Sequence, residues 1–248
     1  MKVKKLLIPV IAFVVFTSCC GNKNGTDVTN ANTDVIQSNK VLSAEEQSKL
    51  TPDKVIEILK QGNEEFISNK LTVKNTTERV SDAAKGQYPA AVILSCLDSR
   101  VPVEDVFHCG IGDLFVARVA GNIVNPDILG SMEYACKVSG SKLVVVLGHG
   151  YCGAVKSAID DVELGNITGL LKRIKPAVNQ SKEKFEGETK SSNNEFVETV
   201  CHTNVELMVK EIRENSPILK EMEDKGEIKI VGAMYNMHTG KVEFFENM

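Results

Sequence analysis

The sequence contains no tryptophan, and aromatic residues make up only 5% of its 248 positions. A surface that stacks nucleobases needs exposed aromatic rings, so this composition argues against a single-strand nucleic-acid binder. An excess of basic charge is also missing. Lys and Arg total 29 against 33 Asp and Glu, a net charge of −4. No phosphate-tracking face is announced, no nucleic-acid-binding motif is present, and no nucleic-acid partner is expected. Internal repeats are absent as well. The apolar run Leu6 to Phe16 is too short to span a bilayer comfortably. What the chain does have is 42% hydrophobic residues, enough for a substantial core.

That short run has a context. Lys2, Lys4 and Lys5 precede it, and Thr17-Ser18-Cys19 follows it. A basic start, an apolar middle and small residues before a cysteine make a secretory signal, and Phe16 to Cys19 resembles a bacterial lipobox. The expectation is a signal peptide over 1–18, lipidation at Cys19, a tether over 19–42 and a domain over 43–248. The tether is rich in Asn, Thr, Asp and Gly, a composition that buries little surface. The protein is then exported and held by lipid on the periplasmic side of a bacterial envelope. Five cysteines remain in the domain, Cys96, Cys109, Cys136, Cys152 and Cys201. Export permits disulfides, yet an odd number at these spacings is no disulfide framework.

Four apolar runs, 90–95, 114–120, 142–148 and 228–235, read as strands. Two are nearly continuous in Val, Ile and Leu, as strands covered on both faces are. Helical patterns over 126–139, 152–164, 166–180 and 195–215 separate them, and a polar loop or frayed end is expected over 179–195. Ser43 to Glu46 has capping-box spacing, Thr51-Pro52 opens a helix, and Gly62 is expected to break it. The alternation predicts an α/β fold with a mainly parallel sheet flanked by helices, closed by an antiparallel edge strand near 236–245.

Open parallel sheets place their sites at the carboxyl ends of strands. One predicted strand ends at Cys96; another ends at His149, with Cys152 three residues on. Two thiols and one imidazole suit zinc, and three protein ligands leave a fourth position free for chemistry. Two other readings stay open on residues alone. Cys109 could complete a closed structural site, or a cysteine nucleophile could use His149 as base with Asp98 and Arg100 orienting it.

The segments CLDSR, GDLFVARVAGN and GHGYCGAV, in this order and separation, resemble the β-class carbonic anhydrases. The match runs from 61–66 through 126–135 to 226–245. The resemblance implies a parallel-sheet zinc enzyme, built from dimers, that interconverts CO₂ and bicarbonate by attack of zinc-bound hydroxide. It implies Cys96, His149 and Cys152 as ligands of one Zn²⁺, and Asp98 with Arg100 as a catalytic dyad. A dyad aspartate in this family can close onto zinc beside a tryptophan-containing bicarbonate pocket. Ile93 stands at the tryptophan's place, so an open site is expected; Arg118, which such a pocket also uses, is present. Ile128–Val138 and the N-terminal helix are candidate dimer contacts.

The chain departs from the family pattern at Leu97, His108 and Cys109. Leu97 replaces a usual serine and is expected to point away from the metal. Cys109 stands where the resemblance implies a glutamine, which suggests that Cys109 and Gly150 line the substrate pocket and that turnover is reduced. His108 is either a proton shuttle or, by preference, an exposed surface residue. Two functional alternatives accompany the enzyme reading: a non-catalytic zinc- or bicarbonate-binding lipoprotein, and a hydrolase of another CO₂-like substrate on the same metal.

Overall fold

The computed structural model describes residues 40–70 and 76–245. The expected signal peptide, Cys19 and nearly all of the tether lie outside the described residues. No helix among the described residues is long and apolar enough to cross a membrane.

Two short helices lead in. α1 (Ala44–Ser48) carries the expected capping box, with Ser43 and Glu46 satisfying each other's backbone amides. α2 (Pro52–Ile67) starts on the Thr51 cap with proline in its first turn. Gly62 does not break α2, contrary to expectation; it lies inside the helix. A Cβ there would stand 2.0 Å from the Phe107 carbonyl oxygen, so glycine serves close packing rather than termination. α3 (Thr76–Ala83) follows.

The central sheet has the order β2-β1-β3-β4-β5. β1 (Ala91–Ser95), β2 (Leu114–Arg118), β3 (Leu143–His149) and β4 (Lys229–Tyr235) run parallel, and β5 (Val242–Phe244) pairs antiparallel with β4. These bounds fall close to the sequence expectation. β1 and β3 are buried at every position. Alternation explains why: Val92, Leu94, Val144 and Val146 enter one core, while Ala91, Ile93, Val145 and Leu147 enter the other.

The first of those cores is filled by α5 (Pro126–Glu133), α6 (Gly153–Ile159), α7 (Gly165–Lys184), α8 (Asn194–Asn215) and α9 (Pro217–Asp224). The second is covered by α2 and the single turn α4 (Val103–Val106). α5 continues into a π turn, Tyr134–Val138. Residues 179–184, expected as a loop or frayed helix end, are the last residues of α7, held helical where buried Ser181 bonds Thr203 of α8 at 3.0 Å, and the loop begins after them.

Only half of β4 meets β5. Beyond it, Glu223 accepts from the Ile230 amide at 3.1 Å and Arg213 donates to the Ile230 carbonyl at 2.9 Å. This ion pair stands in for a missing strand and satisfies an edge that would otherwise be open.

Candidate metal centre

The chain leaves β1 for β2 on one side and leaves β3 for β4 on the other, so a crevice opens between the carboxyl ends of β1 and β3. Ser95 pairs with Leu147. Cys96, one residue past β1, therefore lies beside the end of β3, which finishes at His149. Tyr151 then takes a left-handed conformation, φ +56°, turning the chain so that Cys152 caps the start of α6. The three side chains converge. The Cys96 and Cys152 sulfurs are 3.8 Å apart, and the three donor atoms lie within 4.8 Å of one another, all buried.

The donor set fits a metal ion. His149 Nδ1 donates to the Gly150 carbonyl at 2.8 Å, which fixes the tautomer and leaves Nε2 as a bare acceptor. Buried Nε2 has no partner among the described residues. A dry imidazole nitrogen facing two sulfurs is costly unless something positive sits between them. The sulfurs are prepared for this too. The Gly121 amide donates to Cys96 Sγ at 3.3 Å. The Cys96 thiol is shifted down, first by the hydrogen bond from Cys152, while Cys152 is shifted up by its Cys96 partner and by burial. Cys96 is thus the first of the pair to become the thiolate that a metal requires.

The dyad stands at the mouth. Arg100 grips Asp98 with a fork, Nε to Oδ1 at 2.9 Å and Nη2 to Oδ2 at 2.7 Å, and its backbone amide adds a third bond at 3.0 Å. Asp98 Oδ2 is 3.9 Å from His149 Nε2. The Arg100 bonds hold the Asp98 carboxyl down to about 2. Arg118 braces the same turn from β2, donating to the Cys96 carbonyl at 3.0 Å and the Asp98 carbonyl at 2.5 Å. Leu97, between them, is exposed.

Of the remaining expected site residues, Gly150 adjoins this cluster and Cys109 does not. Cys109 packs in the core on the opposite face of the sheet from Cys96 and Cys152, its thiol donating to the Phe107 carbonyl at 3.4 Å. It supplies no fourth ligand. His108 is buried rather than exposed, with φ +50°, and pairs with Glu65 at 2.5 Å. Ile93 is sealed in that same second core. Gly150 adjoins the centre through its carbonyl, and a Cβ there would meet Glu198 Oε2 at 2.6 Å. Sequence reasoning missed the Gly121 amide, whose signal was the glycine in GDLFVARVAGN, held at φ +72°.

Comparison with known proteins agrees with this geometry. The carbonic anhydrase family model matches residues 91–242. Carbonic anhydrase 2 of Mycobacterium tuberculosis is 34% identical over 189 residues, covering 74% of this chain and 87% of that protein. The carbonic anhydrase of Mycolicibacterium smegmatis is 35% identical over 191 residues, covering 75% and 89%. A β-carbonic anhydrase structure from Aspergillus fumigatus superposes with a TM-score of 0.61 at 26% identity, over 68% of this chain and 81% of that one. One of two tetrameric β-carbonic anhydrases from Sordaria macrospora gives 0.63 at 24% identity, over 77% and 96%. A fold with this switch-point trio, matched by family over most of its sheet, leads to one conclusion: the chain belongs to the β-class carbonic anhydrases.

Proposed function

We propose that the protein hydrates CO₂ to bicarbonate and a proton, reversibly, with one zinc ion held by Cys96, His149 and Cys152. The observation that carries this is the buried, unpartnered His149 Nε2 aimed between two sulfurs and toward Asp98. Zinc bound there would supply Lewis acidity that makes water nucleophilic near neutral pH. The chain's own residues do the rest. Ionised Asp98 Oδ2 accepts a hydrogen bond from the nucleophilic water and aims its lone pair at the carbon of CO₂. Arg100 keeps that carboxylate charged and immobile through the planar fork, which lysine cannot make. Arg118 fixes the turn that carries both Cys96 and Asp98. Stopped-flow CO₂ hydration on metal-analysed protein tests this, with one zinc per chain and rapid turnover expected. Stoichiometric zinc without turnover would favour the binding-lipoprotein alternative.

The assembly is part of the same reading. β2 is an edge strand, and its apolar residues Leu114, Phe115, Val116 and Ala117 are only half-buried. Around it, Leu97 is 65% exposed, Val138 70%, Tyr134 49% and Ile111 44%. Tyr134 meets Phe115 edge-on at 6.4 Å. An unpaired apolar edge of this kind invites another strand, and a second copy of this chain is the proposed occupant. Because Leu97 adjoins Asp98, that copy would also wall the mouth of the centre. Val116→Lys should convert the oligomer to a monomer in sedimentation; an unchanged assembly would place the interface elsewhere.

Export and lipidation at Cys19 are proposed on the sequence alone, from the basic start, the apolar run and the small residues before the cysteine. The mass of the mature chain tests them. Cleavage before Cys19 with an added acyl mass is expected, and an intact, unmodified N-terminus would refute it.

A further inference from the structure

α8 backs the metal centre with polar groups that a core helix has no packing reason to carry. Asn204 is 1% exposed and lies among apolar neighbours. Its Nδ2 donates to the Gly121 carbonyl at 2.9 Å, while its Oδ1 is buried with no partner among the described residues. A half-satisfied buried amide is unfavourable compared with leucine of similar size, so its retention calls for a benefit. The other side of the same residue supplies one. Gly121 presents its carbonyl to Asn204 and its amide to Cys96 Sγ at 3.3 Å. The two groups belong to adjacent peptide units joined at the Gly121 Cα, so the Asn204 bond anchors one unit and limits the swing of the other, which carries the amide. Glycine is required there twice over: φ is +72°, and a Cβ would meet Ile174 Cδ1 at 2.5 Å. One turn earlier on α8, Cys201 lies against the Cys152 backbone amide. One helix thus touches the support of both sulfur ligands.

We propose that Asn204 is a positioning residue for Cys96, holding the Gly121 amide on the sulfur that carries the metal. The inference rests on the metal reading of the trio. An N–H···S bond draws electron density from a thiolate, which leaves the metal a stronger Lewis acid and keeps the ligand in place; outer-shell partners of this kind typically affect metal affinity by roughly 10–100-fold. Asn204 touches neither metal nor substrate, so its effect must be read at the ligand.

The test uses full-length protein loaded with cobalt(II), whose sulfur-to-metal charge-transfer absorption reports thiolate donor strength. Asn204→Leu should shift that band to lower energy and speed metal loss to a chelator by about 10-fold or more. Asn204→Ser, too short to reach Gly121, should act in the same direction and serves if the leucine variant does not fold. Val209→Ala, a core truncation on the same helix, should leave the band in place, and Asn204→Gln should restore part of it. An unmoved band in a folded Asn204 variant, or an equal shift in Val209→Ala, would overturn the inference. Wild-type protein that takes up cobalt without any sulfur band would instead overturn the metal reading itself.

Discussion

His149→Ala will lose its zinc and fall to the buffer background in CO₂ hydration. The reason lies in the donor count. Removing one of three ligands leaves two sulfurs 3.8 Å apart in a buried site, with no nearby group on the described residues able to substitute; Asp98 is committed to Arg100. Two thiolates so close together repel each other without a cation, so the pair takes up a proton and metal affinity falls further. The loss will extend to stability. A ligand present at 100 to 1,000 times its Kd stabilises the folded state by about 2.7–4.1 kcal/mol. For a chain of this size each kcal/mol moves Tm by roughly 2–4 °C. Stripping zinc from the wild type should therefore lower Tm by about 5–16 °C, while chelator leaves the alanine variant unchanged. Zinc analysis, calorimetry and stopped-flow rates on the same preparations check all three. Retention of both metal and activity by His149→Ala would refute the site.

The sheet was readable because its strands are short apolar runs with helical spacing between them, and because burial on both faces removes the alternation that would suggest an exposed sheet. β1 and β3 fall within a residue of expectation for this reason. The trio was readable because each ligand follows the end of such a run. Two expectations fail for a different reason. Gly62 reads as a helix breaker because a single chain segment cannot show that the Phe107 carbonyl will cross α2 at that point. His108 is expected at the surface because its local segment shows no core partner, yet it turns into the second core, where Glu65 receives it. Nothing in the local sequence distinguishes Asn204 from the other polar residues of a long helix. Its meaning depends on a contact with Gly121, 83 positions away in the chain, and local pattern carries no information about such a pair.

Asp98→Asn will keep zinc, fold and Tm but lose kcat. The substitution preserves shape and removes charge, so it separates the dyad's chemistry from its packing. Arg100 is largely exposed, and an exposed ion pair contributes only about 0–1 kcal/mol to stability; Tm should therefore move little. Catalysis should fall by about 10²–10⁴-fold, the usual contribution of a positioned acid or base, because a neutral amide presents a poorer acceptor or a wrongly directed donor to the nucleophilic water. The pH dependence distinguishes this from general damage. The Asp98 carboxyl is held down to about 2 by Arg100, so its charged form is favoured in the folded state. Its contribution to stability is complete above the ordinary aspartate range and is lost only as pH falls through about 2. Asp98 consequently does not titrate between pH 6 and 9, and the variant's activity profile should keep the wild-type shape at reduced height. Arg100→Lys keeps the positive charge and loses the fork, so its rate should lie between those of wild type and Asp98→Asn. A variant at position 98 that turns over within twofold of wild type would reduce the dyad to a surface ion pair, and the metal centre would then have to orient water without any help from the turn that Arg118 so closely braces.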